Sequence, residues 1–185
     1  MFEKENICDA VVQCFLNNKG DKIIQKYCFT SLSLLLKSAM NLKKVLHQNI
    51  VGYIINILSG KMVDPIVIEQ GLSTLVLLCD SPKVVSVMAE STLFDCLRLI
   101  LANNIYNVEN NIVAYNTVIN SLFILQKCST DHNCIVSILN SGLFVVLIKY
   151  LRSNTLYMDI VNQIFILIKF ICAFSIFFFV NGGDF

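Results

Sequence analysis

The run Leu122-Phe123-Ile124-Leu125-Gln126-Lys127-Cys128-Ser129-Thr130-Asp131-His132-Asn133-Cys134-Ile135-Val136-Ser137-Ile138-Leu139-Asn140-Ser141-Gly142-Leu143-Phe144-Val145-Val146-Leu147-Ile148 decides how this chain is read. It holds an apolar helical face, a polar break at Asp131-His132-Asn133, a short apolar helix, a second break at Asn140-Ser141-Gly142 and a third apolar run. Gly142 stands just beyond Leu139, where a helix ends in a left-handed cap. The unit recurs. Paired leucines three apart stand at Leu32/Leu35, Leu75/Leu78 and Leu122/Leu125, separated by steps of 43 and 47 residues. A second face, Val12/Phe15/Leu16, Ile54/Ile57/Leu58, Leu97/Ile100/Leu101 and Leu147/Tyr150/Leu151, recurs at steps of 42, 43 and 50. Two helical faces repeating together at this spacing predict stacked helix-loop-helix units, each burying its apolar side against the next.

On these residues the chain resembles the armadillo-repeat family, with HEAT repeats next in line. The resemblance rests on the short helix Cys134-Ile135-Val136-Ser137-Ile138-Leu139 with Gly142, on the face Phe144/Leu147/Ile148/Tyr150/Leu151, and on the leucine-rich long helices. It covers nearly the whole chain. It implies an all-α, right-handed superhelical α-solenoid of about four armadillo-like repeats, at roughly 4–48, 49–90, 91–141 and 142–175, followed by an irregular tail at 176–185.

Composition agrees with a repeat scaffold. At 185 residues one domain is expected, with chain enough for a sizeable core. A hydrophobic content of 56% and a charged content of 15% lie above and below the globular average, which suits either an excised length of solenoid or a membrane-attached protein. The net charge of +1 supplies no bulk field toward nucleic acid or lipid. Residues 1–48 carry seven lysines and four carboxylates, a mild bias that a solvated end face explains. The eight cysteines, at 8, 14, 28, 79, 96, 128, 134 and 172, include no closely spaced pair, so no zinc site is expected. Most fall on apolar helical faces, where a free thiol behaves as a small hydrophobe. Met1-Phe2-Glu3-Lys4-Glu5-Asn6 lacks the apolar core of a signal peptide, and a reducing, cytoplasmic location is expected, with the nucleus left open.

In chain order, residues 7–16 read as a helix closed by Asn17-Asn18-Lys19-Gly20. Asp21 caps the next, which runs to about Ser38, and a short helix over 43–47 closes the first unit. The second unit starts near Asn49, turns at Ser59-Gly60, resumes at Asp64-Pro65 and ends with a short helix capped by Ser81-Pro82 over 84–89. The third holds the polar stretch 103–111, placed in a surface loop. In the fourth, the long helix begins near Met158, and beyond Ile164 the polar face is lost. Residues 164–180 have one lysine, Lys169, and Ile168/Ile171 keep the repeat register. A fourth repeat helix and a C-terminal tail anchor are both open readings of this run.

Chemistry is hard to find. Only His47 and His132 exist, in different repeats, and neither joins a convergent nucleophile and base. No glycine-rich phosphate loop occurs and carboxylates do not pair on the long helices, so neither enzyme, metal site nor cofactor is expected. Lys22, Lys26 and Lys37 share one helix, but no basic stripe continues along the stack, which argues against nucleic acid.

The expected function is a non-enzymatic protein-interaction scaffold; the alternative is a helical adaptor attached to a membrane through 164–180. The resemblance implies that the long helices line a concave groove. Peptide-binding armadillo proteins hold an asparagine one place before the second paired leucine; here those places are Leu34, Leu77, Ile124 and Phe170, and there is no tryptophan. Four and eight residues back on the same faces stand Thr30 and Lys26, Ser73 and Glu69, Asn120 and Asn116, and Ile166 and Asn162. The candidate groove therefore comprises Lys26, Thr30, Leu34, Glu69, Ser73, Leu77, Asn116, Asn120, Ile124 and Asn162, with an apolar floor suited to an amphipathic helix or peptide.

Overall fold

A computed structural model of the chain describes residues 5–18, 20–46, 48–60, 63–153 and 157–180, with side chains over 7–174. The first set of helices is α1 (Glu5–Asn17), α2 (Lys22–Leu35) and α3 (Ala39–Leu46). The second is α4 (Ile50–Leu58), α5 (Pro65–Leu78) and α6 (Pro82–Ala89), and the third is α7 (Leu93–Asn104), α8 (Ile112–Cys128) and α9 (His132–Asn140). α10 (Leu143–Ser153) and α11 (Met158–Val180) follow. The chain is all-α, and no strand occurs among the described residues.

Local chemistry sets the starts of the long helices. Asp21 accepts hydrogen bonds from the amides of Ile23 (2.9 Å) and Ile24 (3.1 Å). Asp64 accepts from Ile66 at 2.8 Å, with Pro65 at the first helical position. Asn111 accepts from Val113 (3.0 Å) and Ala114 (3.1 Å). Each satisfies amides that a helix start leaves without an intrahelical partner. The three caps are separated by 43 and 47 residues, the same steps as the leucine pairs. At the other end of the unit, Gly142 has φ +75°, the left-handed conformation expected of the residue that follows α9.

The long helices lie in a row. α5 packs between α2 and α8, and α8 between α5 and α11, while α4, α7 and α10 follow one another and α6 meets α9. Leu32, Leu72, Leu75, Leu78, Leu122 and Leu125 are all fully buried. In the second face Val12, Phe15, Ile54, Leu58, Leu97, Leu101, Leu147 and Tyr150 are buried too. The Phe15 ring meets Phe29 edge-on at 4.7 Å and Tyr53 at 5.0 Å, joining α1 to α2 and to α4 with aromatic contacts. Gly71 allows α5 to approach closely: a Cβ there would stand 3.1 Å from Leu58 Cδ2 and 3.3 Å from the Phe29 ring.

Several boundaries differ from the sequence reading. Ser81 precedes α6 but makes no side-chain cap bond; its carbonyl instead accepts from Val84 and Val85. α3 begins earlier than expected, and His47 lies outside the described residues. α11 continues through Val180, so the tail expected to be irregular from 176 is helical over its first residues; 181–185 lie outside the description. The polar stretch 103–111 is not a plain surface loop. Its first residues, Asn103 and Asn104, end α7, and Ile105 and Val108 are buried, anchoring the connection to the core.

Two outcomes test this packing. Leu75→Ala and Leu122→Ala each should lower stability by about 2–5 kcal/mol in thermal or urea unfolding. Because each unit is stabilised by its neighbours, the loss should unfold most of the chain together. An internal deletion within 105–111 that removes Val108 should also lower the melting temperature, whereas a free surface loop would tolerate it.

Candidate interaction surface

Along the row, each of the four long helices leaves side chains open to solvent. On α2, Lys26, Thr30 and Leu34 are exposed. On α5, Glu69, Ser73 and Leu77 are half-buried, and on α8 so are Asn116 and Asn120; Asn162 and Ile166 of α11 are exposed. Nine of the ten sequence-predicted groove residues therefore reach solvent at least in part.

Ile124 does not. It is fully buried, a core residue rather than part of a groove floor. The reason is its helix's position: α8 is flanked by α5 and α11, so the arc left open is narrower than on a helix with one neighbour. The equivalent residues follow the same rule. Leu34 of α2 is 64% exposed and Phe170 of α11 is 47% exposed, while Leu77 of α5 is half-buried. The open stripe on α8 instead runs through Asn116, Asn120, Phe123 and Lys127, spaced as one helical face, with Phe123 36% exposed. Phe123 was missed because the register of paired leucines points one residue away from it.

Polar contacts join neighbouring helices across this surface. Asn116 Nδ2 donates to Glu69 Oε1 at 3.4 Å, linking two residues that occupy the same place in successive units. Lys127 pairs with Asp80, again one unit apart. Ser33 and Thr74 share a hydroxyl hydrogen bond of 3.2 Å, and Tyr115 donates to Asp159 Oδ2 at 3.1 Å. Gln126 Nε2 donates to both the backbone carbonyl (2.8 Å) and Oε1 (2.7 Å) of Gln163. Hydrogen bonds and surface ion pairs of this kind contribute little net energy, about 1 kcal/mol each. Their value is positional, because they hold the register between helices whose apolar contacts are not directional. Charge changes sign along the row, from Lys26 to Glu69 and Asp80, then to Lys127. Among the described residues no continuous basic stripe runs along this surface.

The remaining polar candidates are occupied in other ways. Asp131 caps α9 by accepting from the Cys134 amide at 3.0 Å, while the His132 ring lies 5.4 Å from Phe174 on α11. The thiols of Cys8, Cys28, Cys79, Cys96, Cys128 and Cys134 are buried. Burial, followed by the nearby Cys14 thiol, pushes Cys28 up to about 11. Burial raises Cys8 and Cys96 as well. Cys128 is driven up chiefly by hydrogen bonding with the Cys134 and Cys79 thiols, then by burial. Such thiols stay protonated near neutrality, the opposite of an activated nucleophile. The Sγ atoms of Cys79 and Cys128 lie 3.5 and 3.8 Å from Met88 Sδ, a sulfur-lined part of the core. Among the described residues no group of three or more His, Cys, Asp or Glu side chains is arranged to hold a metal ion. Nor, over the residues whose side chains are described, is any single helix long and apolar enough to cross a membrane; α9 and α10 pass only together, bent by 71°. No known family, curated protein or solved structure matches the chain.

Two measurements follow. Ile124→Asn places a carboxamide in a dry site and removes packing, and should cost about 3 kcal/mol or more in unfolding free energy. Phe123→Ser, one residue away, should leave the fold's melting nearly unchanged. Thermal stability should also fall with alkali. The folded state holds the Cys28 proton up to about pH 11, while an unfolded thiol releases it near pH 8.5, so the unfolded chain binds fewer protons in that window and stability declines as pH rises. Cys28→Ser should reduce the slope of that decline.

Proposed function

We propose that the chain is an α-solenoid of about four armadillo-like units, wound in a right-handed superhelix, that works as a protein-interaction scaffold without catalytic activity. The observation that carries this reading is the lateral pairing of equivalent residues, Glu69 with Asn116, by units whose caps and leucines repeat at the same steps. Translation of one unit onto the next produces that pairing, whereas a closed bundle of unrelated helices has no reason to. Solenoids of this kind commonly bind through the surface shared by their longest helices. Here that surface combines a polar edge, with Lys26, Glu69, Asn116 and Asn162, and apolar side chains at Leu34, Leu77, Phe123 and Phe170. Few carboxamides stand where an extended peptide's backbone would be gripped. An amphipathic helix laid across the row, its apolar side on Leu77 and Phe123, fits the chemistry better. Eight free thiols, six of them buried, support a reducing compartment, the cytoplasm, as its place of work.

The reading is tested by selecting binders from a helix-biased peptide library against the full chain. The selected peptides should gain helical circular dichroism on binding. Leu77→Asn with Phe123→Asn should weaken them at least tenfold without changing the chain's own helical signal. Binders that ignore both substitutions would place recognition elsewhere and overturn the groove.

A further inference from the structure

The end of the row formed by α10 and α11 carries a second surface, which meets the groove at Phe170. α10 is covered by α7 and α11 by α8, and the residues directed to those neighbours are buried: Leu147 and Tyr150 on one helix, Ile164 and Leu167 on the other. The opposite arcs lie open. On α10, Val145 is 60% and Ile148 44% exposed, and Lys149 and Arg152 complete the same stripe. On α11, Phe165 is 57% and Phe170 47% exposed, with Lys169 between them. Two aliphatic and two aromatic side chains thus stand in water beside three cations. The one carboxylate of these two helices, Asp159, accepts a hydrogen bond from Tyr115 on α8.

From this arrangement we infer that the α10–α11 face docks on an anionic lipid surface, lying on the leaflet rather than crossing it. Aromatic and aliphatic side chains enter the boundary between headgroups and acyl chains, and lysine and arginine beside them meet lipid phosphates and carboxylates. Lys169 lies opposite the helix face that packs on α8, where a headgroup suits it and an acyl interior does not. A second copy of the chain stacked head to tail is the competing occupant. The other end of the row, α1 and α2, exposes Ile7, Ile23 and Tyr27 beside Lys22 and Lys26. The same end also carries the carboxylates Asp9, which accepts from Gln48 Nε2 at 2.7 Å, and Asp21, which caps α2. That contact is therefore an outcome which the test separates from lipid docking.

The test is flotation of the full chain with vesicles of phosphatidylcholine alone and of phosphatidylcholine with 30% phosphatidylserine. Each cation near an anionic leaflet strengthens partitioning roughly fivefold, so the serine-containing vesicles should carry the protein about a hundredfold better. Lys149→Glu with Arg152→Glu should abolish that preference, and 0.5 M salt should weaken it sharply. Phe165→Ser with Phe170→Ser should lower binding to the anionic vesicles at least tenfold, with the melting temperature of every variant held near the parent's. Equal binding to both vesicle types, or binding that survives 0.5 M salt and the charge reversals, would overturn the proposal in favour of non-selective insertion. Absence of binding would overturn it outright, and concentration-dependent assembly in sedimentation, relieved by the same phenylalanine changes, would assign the face to self-association instead.

Discussion

The structure depends on one arrangement: long helices laid side by side, each offering a leucine-rich face to the next. Leu75 and Leu78 of α5 and Leu122 and Leu125 of α8 are fully buried because those helices have neighbours on both flanks. At the ends of the row one member of each pair is less protected: Leu35 of α2 and Ile168 of α11 are half-buried, while Leu32 and Ile171 stay buried. Apolar burial supplies the energy, on the order of 25 cal/mol for each Å² removed from water. It supplies no register, since one leucine face slides on another at small cost. Register comes from elsewhere in each unit.

Caps and lateral hydrogen bonds provide it. Asp21, Asp64 and Asn111 fix where α2, α5 and α8 begin, at intervals equal to those between the leucine pairs. With starts and apolar faces in phase, residues of equal rank face one another across helices, as Glu69 and Asn116 do. The buried phenol of Tyr150 donates to the Leu101 carbonyl at 2.8 Å and ties α10 to α7 in the same manner. Between α6 and α9 the Ser137 hydroxyl donates to the Ala89 carbonyl at 3.1 Å. Each such bond is worth little alone. Collectively they favour one alignment over the alignments a purely apolar interface would also accept.

How much of this was legible in the sequence follows from what each feature depends on. The recurring helices were readable because apolar residues three and four apart mark a face whatever packs on it. Asp21, Asp64-Pro65 and Gly142 were readable because caps act within a few residues of themselves. The stretch 103–111 misled: its asparagines look like free loop, and nothing local shows that Ile105 and Val108 turn inward. Asn111 was therefore absorbed into a loop when it is the cap of α8. Ile124 was misplaced for a different reason. Whether that position is groove or core depends on how many neighbours its helix has, a property of the row and not of the residue. The face of α10 and α11 is similarly a consequence of what stands beside those helices.

These features join in one picture, that of a row of helices whose open faces, along its length and at its end, are the surfaces we propose for recognition. The picture stands or falls on the row remaining open. Spin labels introduced through a ketone-bearing amino acid, avoiding the eight native thiols, at 30, 120 and 166 would measure it by pulsed electron resonance. Neighbouring helix axes lie roughly 8–10 Å apart, so the 30–120 separation, spanning two steps, should be about 16–20 Å. The 30–166 separation should be longer by another step, about 24–30 Å. A 30–166 distance equal to or shorter than 30–120 would mean that α11 folds back beside α2 in a closed bundle, and the repeat account would be contradicted.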